Sequence, residues 1–150
     1  MNLNPKKVYF RASHYASRIH GTTAHIKEGL RYSIYDLLIG LMLPSGNDAA
    51  LVLAENFGRY LCTEGCRTSI QTLKDHIESD PYDTESSRKH IIKFVRRMNQ
   101  EAMSLKMVNS NFSNPHGLSD KANKSSAQDV VRLTYSALKY PLFCEIIKKD

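Results

Sequence analysis

Ile34, Leu37, Leu38, Ile39, Leu41, Met42 and Leu43 follow one another with almost no polar face between them. A helix so apolar is expected to be buried on nearly every side. Ser33 stands three residues ahead of Asp36, the spacing of a capping box, and predicts a helix over 34–43. Pro44 ends it, because a proline ring has no backbone N–H to donate. Ala50, Leu53, Ala54, Phe57 and Leu61 recur at helical spacing and predict a second helix over 47–61. The small Ala49 and Ala50 permit close approach of a neighbour at its start. The clearest amphipathic pattern is Ile91, Val95, Met98, Ala102 and Leu105, in alternating steps of four and three, which predicts a helix over 87–107. Ser125 and Gln128 form a further capping box opening a helix that runs to Leu138. Pro141 stops it ahead of a short last helix over 142–148.

The remaining stretches are weaker in pattern. Residues 7–10 predict a short strand, 14–23 a polar loop, and 25–30 an extended piece that ends in a turn at Gly29. Residues 62–87 are polar, contain Gly65 and Pro81, and are expected to form an insertion that adds little to a core. The sum is a mainly α chain with one or two short strands near its N-terminus and no internal repeat.

Composition narrows the classes of function. The 150 residues suit one domain, no apolar run is long enough to cross a bilayer, and the first residues lack the apolar core of a secretory signal. The expectation is a cytosolic chain or one whose true start lies upstream. A net charge of +6 and a pI near 9.3 favour anionic surfaces. The cations are dispersed, however, with no nucleic-acid recognition motif, so Lys89, Lys93, Arg96 and Arg97 read as a solvated helix face. Cys62, Cys66 and Cys144 are an odd number with no second ligand pair, and read as ordinary thiols. His14, His20 and His25 match no metal-helix motif and are expected to be exposed. Neither a metal nor a cofactor is implied.

Between the two most apolar helices lies Pro44-Ser45-Gly46-Asn47-Asp48. Ser45 ahead of Asp48 again has capping-box spacing, so one reading is a structural corner. Two buried helices meeting at a polar turn are costly unless the turn is hydrogen-bonded. That cost supports a sharper reading, in which the Ser45 hydroxyl and the Asn47 amide project into a cleft.

The residues Asp36-Leu37-Leu38-Ile39-Gly40-Leu41-Met42-Leu43-Pro44-Ser45-Gly46-Asn47-Asp48-Ala49-Ala50 resemble the segment around the second active-site motif of D-alanyl-D-alanine carboxypeptidases. These are the low-molecular-weight penicillin-binding proteins, related in fold to the serine β-lactamases. Phe94-Val95-Arg96-Arg97-Met98-Asn99-Gln100-Glu101-Ala102 is similar to that family's F-v-x-x-M-N-x-x-A helix. The stretch from Leu105 through Asn114-Pro115-His116-Gly117-Leu118 resembles the loop that follows it, and Ser125-Ser126-Ala127-Gln128-Asp129 the start of the next helix. The resemblance runs from about Val8 to the end, interrupted by 62–87. It implies the helical lobe of the serine β-lactamase/DD-peptidase-like fold, an α+β parent, with 1–150 as part of one domain.

The family's chemistry is acyl transfer through a serine nucleophile. The resemblance implies that Ser45 is the proton-relay hydroxyl of an S-x-N motif and Asn47 the amide that binds substrate. Gly46 would keep the turn tight, and His116 with Gly117 would shape the cleft. The complete enzyme's partners would be a D-Ala-D-Ala-terminated peptide or a β-lactam, outside the cytoplasm, and not nucleic acid. The nucleophile's S-x-x-K motif is expected upstream of Val8, and no K-T-G occurs in these residues. Ser86-Ser87-Arg88-Lys89 fits the letters S-x-x-K but follows the S-x-N motif and is rejected; His20-Gly21-Thr22 does not fit K-T-G. The chain is therefore expected to be inactive alone. The alternatives are a non-catalytic helical binding domain derived from the family, or a small basic nucleic-acid binder.

Overall fold

The computed structural model describes residues 4–63 and 84–149. In chain order they form β1 (Tyr9–Arg11), α1 (His14–Ser17), β2 (Arg31–Ser33), α2 (Ile34–Met42), α3 (Asn47–Thr63), α4 (Thr84–Ser104), α5 (Ala127–Ala137) and α6 (Pro141–Ile146). Most of the 62–87 segment, with Cys66, lies outside the described residues. Among the described residues no helix is long and apolar enough to cross a membrane.

The two strands pair antiparallel, with Tyr9 opposite Ser33, Phe10 opposite Tyr32 and Arg11 opposite Arg31. The second strand lies just beyond the extended piece expected over 25–30. Gly29 turns the chain first, at φ +76°, and its N–H reaches the Ala12 carbonyl at 2.9 Å. Residues 14–23 are not all loop, because α1 is a single helical turn too short to show a period. Ser13 caps it by accepting the Ala16 N–H at 2.9 Å.

Ser33 caps α2 as its spacing requires, accepting the Asp36 N–H at 3.0 Å and donating its hydroxyl to Asp36 Oδ2 at 2.6 Å. The burial expected of α2 does not follow. Ile34 and Leu37 are buried, whereas Met42 and Leu43 are exposed. The central helix is α3, whose residues from Ala49 to Asn56 are all buried. It is covered by several elements at once, while α2 lies at the margin and leaves one side open. That side borders an apolar groove of about 470 Å³ lined by Leu38, Leu105, Leu133, Tyr140 and Phe143.

Small residues let the helices close on α3. A Cβ on Gly40 would stand 2.8 Å from the Ala24 Cβ and 3.5 Å from the Ala49 Cβ, so α2 approaches α3 at the corner as the alanines suggested. A Cβ on Gly58 would strike the His90 carbonyl oxygen at 1.9 Å, which holds α3 and α4 in direct backbone contact. Phe10 meets Phe57 edge-on with ring centroids 5.1 Å apart, and Phe57 stacks on Phe94 at 6.4 Å. These offset and edge-on geometries suit the ring quadrupoles and join the sheet to both helices.

Along α4 the predicted stripe is sound, with Val95 and Ala102 buried, though the helix starts three residues before Ser87. Two of the four cations on its outer face pair with acids one turn away: Lys89 with Glu85 at 3.1 Å and Arg97 with Glu101 at 2.6 Å. The cap of α5 is Ser126, whose oxygen accepts the Asp129 N–H at 3.3 Å, one residue later than the Ser125–Gln128 box implied. Ser125 instead shares a hydrogen bond with Ser110 at 2.8 Å. Pro141 opens α6 at its first turn, where a missing N–H costs nothing.

One carboxyl sits inside this apolar frame. Glu55 is fully buried in α3 and accepts the Ser13 hydroxyl at 2.9 Å. Its other oxygen has no hydrogen-bond partner, and the buried Ser87 hydroxyl helps hold the carboxyl without completing a well-formed bond. Burial pushes Glu55 up to about 7, against the opposing pull of Ser13 and Ser87. From its ordinary 4.5 up to about 7, the folded chain keeps a proton that the unfolded chain releases. Stability therefore falls as pH rises through that window and levels off above it. Glu55→Gln removes the penalty while keeping an acceptor for Ser13. The variant is expected to unfold at higher urea than the parent at pH 8, by roughly 1–3 kcal/mol, and to match it at about pH 4, below the unfolded carboxyl's value. An equal difference at both pH values would show that Glu55 does not hold the proton.

Candidate functional site

The corner between α2 and α3 is built from backbone first. Ser45 takes the left-handed conformation at φ +55°, unusual for a residue with a side chain. Gly46 N–H then reaches back to the Gly40 carbonyl at 2.9 Å, and the Gly46 carbonyl accepts the Ala50 N–H at 3.1 Å. Gly46 therefore caps α3, and Ser45 lies one residue outside the cap. The Ser45–Asp48 capping box does not form, because the Asp48 carboxylate turns across to another loop. Glycine is required at 46: a Cβ there would stand 2.7 Å from the Gly40 carbonyl oxygen and 2.8 Å from Asp48 Oδ1.

That other loop is 20–26. Asp48 accepts the Thr23 hydroxyl at 2.6 Å, the Ala24 N–H at 2.9 Å and the Ile26 N–H at 3.0 Å, and also the Ala49 N–H at 2.9 Å. Burial would raise this carboxyl, but the bonds from Ala24, Thr23, Ile26 and Ala49 outweigh it and hold Asp48 below its ordinary 3.8. The loop returns the contact. The Thr22 hydroxyl donates to the Ser45 carbonyl, and the Asn47 N–H donates to the Thr22 carbonyl at 2.9 Å. Most links across this seam use backbone groups, and those to the Asp48 carboxylate are buried or half-buried, so the corner is tied to the loop at several points.

The two expected side chains are presented differently. Ser45 is exposed. Asn47 is only 3% exposed, and its amide nitrogen donates to the His20 carbonyl at 3.0 Å. Gly21 crosses directly over it, at φ +96°, where a Cβ would stand 2.5 Å from the Asn47 amide nitrogen and 3.4 Å from Leu118 Cδ2. The loop at 20–22 thus separates Asn47 from the 109–118 loop.

His116 belongs to that second loop. Its Nδ1 accepts the Leu118 N–H at 3.2 Å. Burial, and then the positive charge of the nearby His20, hold it below its ordinary 6.5. Gly117 turns the loop at φ +79° with open space around it, and borders a groove of about 420 Å³ together with Met98, Phe112 and Pro115. Two buried or half-buried polar side chains fasten the loop. Asn99 on α4 grips both backbone groups of Phe112, at 2.7 and 2.8 Å. Asp129 on α5 accepts the Asn109 N–H at 2.8 Å and the Ser110 hydroxyl at 2.9 Å.

The structure therefore keeps Ser45, Gly46 and Asn47 at one corner, and places His116 near His20, on the far side of the 20–22 loop from Asn47. Asp48, Gly21, Asn99 and Asp129 were missed as site-builders by sequence reasoning. The acid in the first turn of α3 was a visible signal, but its partners lie more than twenty residues upstream. Among the described residues no group of three or more His, Cys, Asp or Glu side chains could hold a metal. His14 pairs with Glu28 at 2.7 Å, and His25 is exposed. Cys62 and Cys144 are free thiols. Ser87 of the discarded S-x-x-K run is buried in α4, and Lys89 is engaged with Glu85.

Comparison with known proteins finds likenesses to one family. The sequence model of the D-alanyl-D-alanine carboxypeptidases matches residues 90–149. The D-alanyl-D-alanine carboxypeptidase of Streptomyces sp. (strain K15) is 28% identical over 149 residues, 99% of this chain and 43% of that protein. In structure, the Streptomyces K15 DD-transpeptidase superposes on 97% of this chain and 47% of its own, with a TM-score of 0.74 and 26% identity. The chain is thus similar to part of a D-alanyl-D-alanine carboxypeptidase family domain. Its fold is the helical lobe of the DD-peptidase fold. Two further members of the family bear this out. D-alanyl-D-alanine carboxypeptidase DacF of Bacillus subtilis (strain 168) is 26% identical over 87% of this chain and 26% of its own length. The carboxypeptidase DacD of Francisella tularensis superposes on 94% of this chain and 26% of its own, with a TM-score of 0.69 and 26% identity. The chain spans less than half the length of the curated relatives it matches.

Removing the Asp48 carboxylate strands three backbone N–H groups, those of Ala24, Ile26 and Ala49, and the Thr23 hydroxyl. Asp48→Ala is expected to lower stability by about 2–4 kcal/mol at pH 7. Because the folded carboxyl titrates below its ordinary 3.8, its contribution is present above that pH and is lost as pH falls through the folded value. Urea unfolding from pH 7 to 2.5 should show the parent and variant converging in acid. A constant gap would mean that the carboxylate charge is not what holds the loop.

Proposed function

We propose that the Ser45-Gly46-Asn47 corner is one wall of a serine acyl-transfer site of the D-alanyl-D-alanine carboxypeptidase type. The observation that supports it best is the corner itself, an exposed serine on a left-handed backbone, pinned by the 20–26 loop beside a buried asparagine amide. In this reading Ser45 relays a proton to or from the reacting serine, and Asn47 hydrogen-bonds the substrate amide. Gly46 allows the tight approach, and His116 with Gly117 forms an edge of the cleft. The substrate class is a peptide ending in D-Ala-D-Ala, with β-lactams as mimics. Its terminal D-alanine would leave as a serine outside these 150 residues attacks the preceding carbonyl, and water would then release the acyl group. Neither an S-x-x-K ahead of the corner nor a K-T-G is present in the chain, so it supplies positioning and proton transfer but no nucleophile. No step calls on a metal or a cofactor.

A second reading has an observation of its own. The Asn47 amide is already bonded to the His20 carbonyl and almost fully buried, as in a domain that keeps the corner for stability and binds a partner without catalysis.

Fluorescent penicillin separates these readings. The 150-residue chain is expected to give no covalently labelled band. A protein joining it to an S-x-x-K helix upstream and a K-T-G strand downstream is expected to label. There Ser45→Ala should slow acylation by about 10²-fold or more, the usual worth of a positioned proton relay. Labelling of the short chain that disappears in Ser45→Ala would make Ser45 a nucleophile and overturn the assignment. Unchanged acylation by the joined Ser45→Ala protein would favour the non-catalytic reading.

A further inference from the structure

Two loops meet over Asn47, and each brings a histidine. His20 supplies the carbonyl that holds the Asn47 amide at 3.0 Å. His116 lies close enough to His20 for their charges to interact. We propose that His116 and His20 form a proton-operated latch over Asn47, closed while His116 is neutral and released when it takes up a proton.

The latch begins at His116 Nδ1. It accepts the Leu118 N–H at 3.2 Å, so its lone pair points at that N–H and the ring hydrogen is on Nε2. An imidazolium carries hydrogens on both nitrogens and cannot accept. Proton uptake therefore breaks the Leu118 bond and sets N–H against N–H. It also places a cation beside His20.

Leu118 is the residue through which the break is transmitted. Its carbonyl accepts the side-chain amides of Asn114 at 3.0 Å and Asn123 at 3.1 Å, and its side chain abuts Gly21. Gly21 in turn covers the Asn47 amide. Loosening Leu118 removes the support behind Gly21, and the His20–His116 repulsion pushes the two loops apart. Burial comes first, and His20 second, in opposing the proton on His116. The charged group at the loop's other end, Asp129, is committed to Arg132 at 2.8 Å and to Ser110 and Asn109. The latch is thus closed at neutral pH and opens in acid, below the ordinary histidine value of 6.5.

The latch stands on these contacts alone. Only its consequence, acid-dependent uncovering of a substrate-binding amide, rests on the reading of Asn47 proposed above.

The test is nuclear magnetic resonance on the whole 150-residue chain from pH 8 to 5. Expected are a His116 ring titration with its midpoint below 6.5 and a shift of the Asn47 side-chain amide signal with the same midpoint. The exchange protection of the Leu118 amide, corrected for the intrinsic effect of pH, should fall about tenfold across it, as for one lost hydrogen bond. His20→Gln should raise the His116 midpoint by removing a neighbouring cation, and His116→Gln should leave Leu118 protection independent of pH. Leu118 protection that stays flat while His116 titrates overturns the latch, as does a midpoint unmoved by His20→Gln. Penicillin labelling of the joined protein tests the roles of Ser45 and Asn47 separately, so the latch and those roles fail independently.

Discussion

The Asp48 carboxylate decides where everything near the corner lies. It sits in the first turn of α3, where the helix dipole favours a negative charge, and it spends most of its lone pairs on a different segment. By accepting from Thr23, Ala24 and Ile26 it fastens the 20–26 loop to the helix start. That loop then carries the Thr22 carbonyl to the Asn47 N–H and the His20 carbonyl to the Asn47 side chain. The positions of Ser45, Asn47 and Gly21 all follow from one buried, hydrogen-bonded charge.

A second constraint comes from α3 as the common partner. It packs against the sheet, against α2 at the Gly40–Ala49 contact and against α4 at the Gly58–His90 contact. Glycine and alanine at those points replace side-chain thickness with backbone proximity. Midway along the helix the arrangement tolerates a buried carboxyl, Glu55, which ties α3 to the cap of α1 through Ser13. A half-satisfied carboxyl in an apolar setting answers burial by holding its proton rather than by ionising.

On the function proposed here, the lobe is a scaffold that presents one wall of a cleft. Its loops are locked by Asn99 and Asp129 on α4 and α5 and by Asp48 on α3, so each side of the opening is positioned by a helix. Sites on rigid elements can be held to small tolerances, which acyl transfer requires of a relay hydroxyl and a substrate amide. The outer face of α4, where Glu85 and Glu101 sit among the cations, presents a mixed rather than uniformly basic surface.

The sequence alone determined the helices, because a long amphipathic period and a serine placed ahead of an acid are local facts. It therefore located α2 through α6, the cap at Ser33 and the turn at Gly29, and the order of its motifs identified the family. It erred where one residue's role depends on a distant partner. Ser45 and Asp48 have the letters of a capping box, yet Gly46 is the cap, because Asp48 gains more from three donors on the 20–26 loop than from its own helix end. The apolar α2 read as buried on nearly every side, yet its C-terminal end is exposed and α3 is the more buried helix, because burial depends on how many elements converge and not on how apolar a segment is. The single turn of α1 and the three-residue β2 were too short to show a period at all. What only the tertiary structure decided is which backbone groups remain for a polar side chain to satisfy, and at the Ser45–Asn47 corner that choice places every side chain.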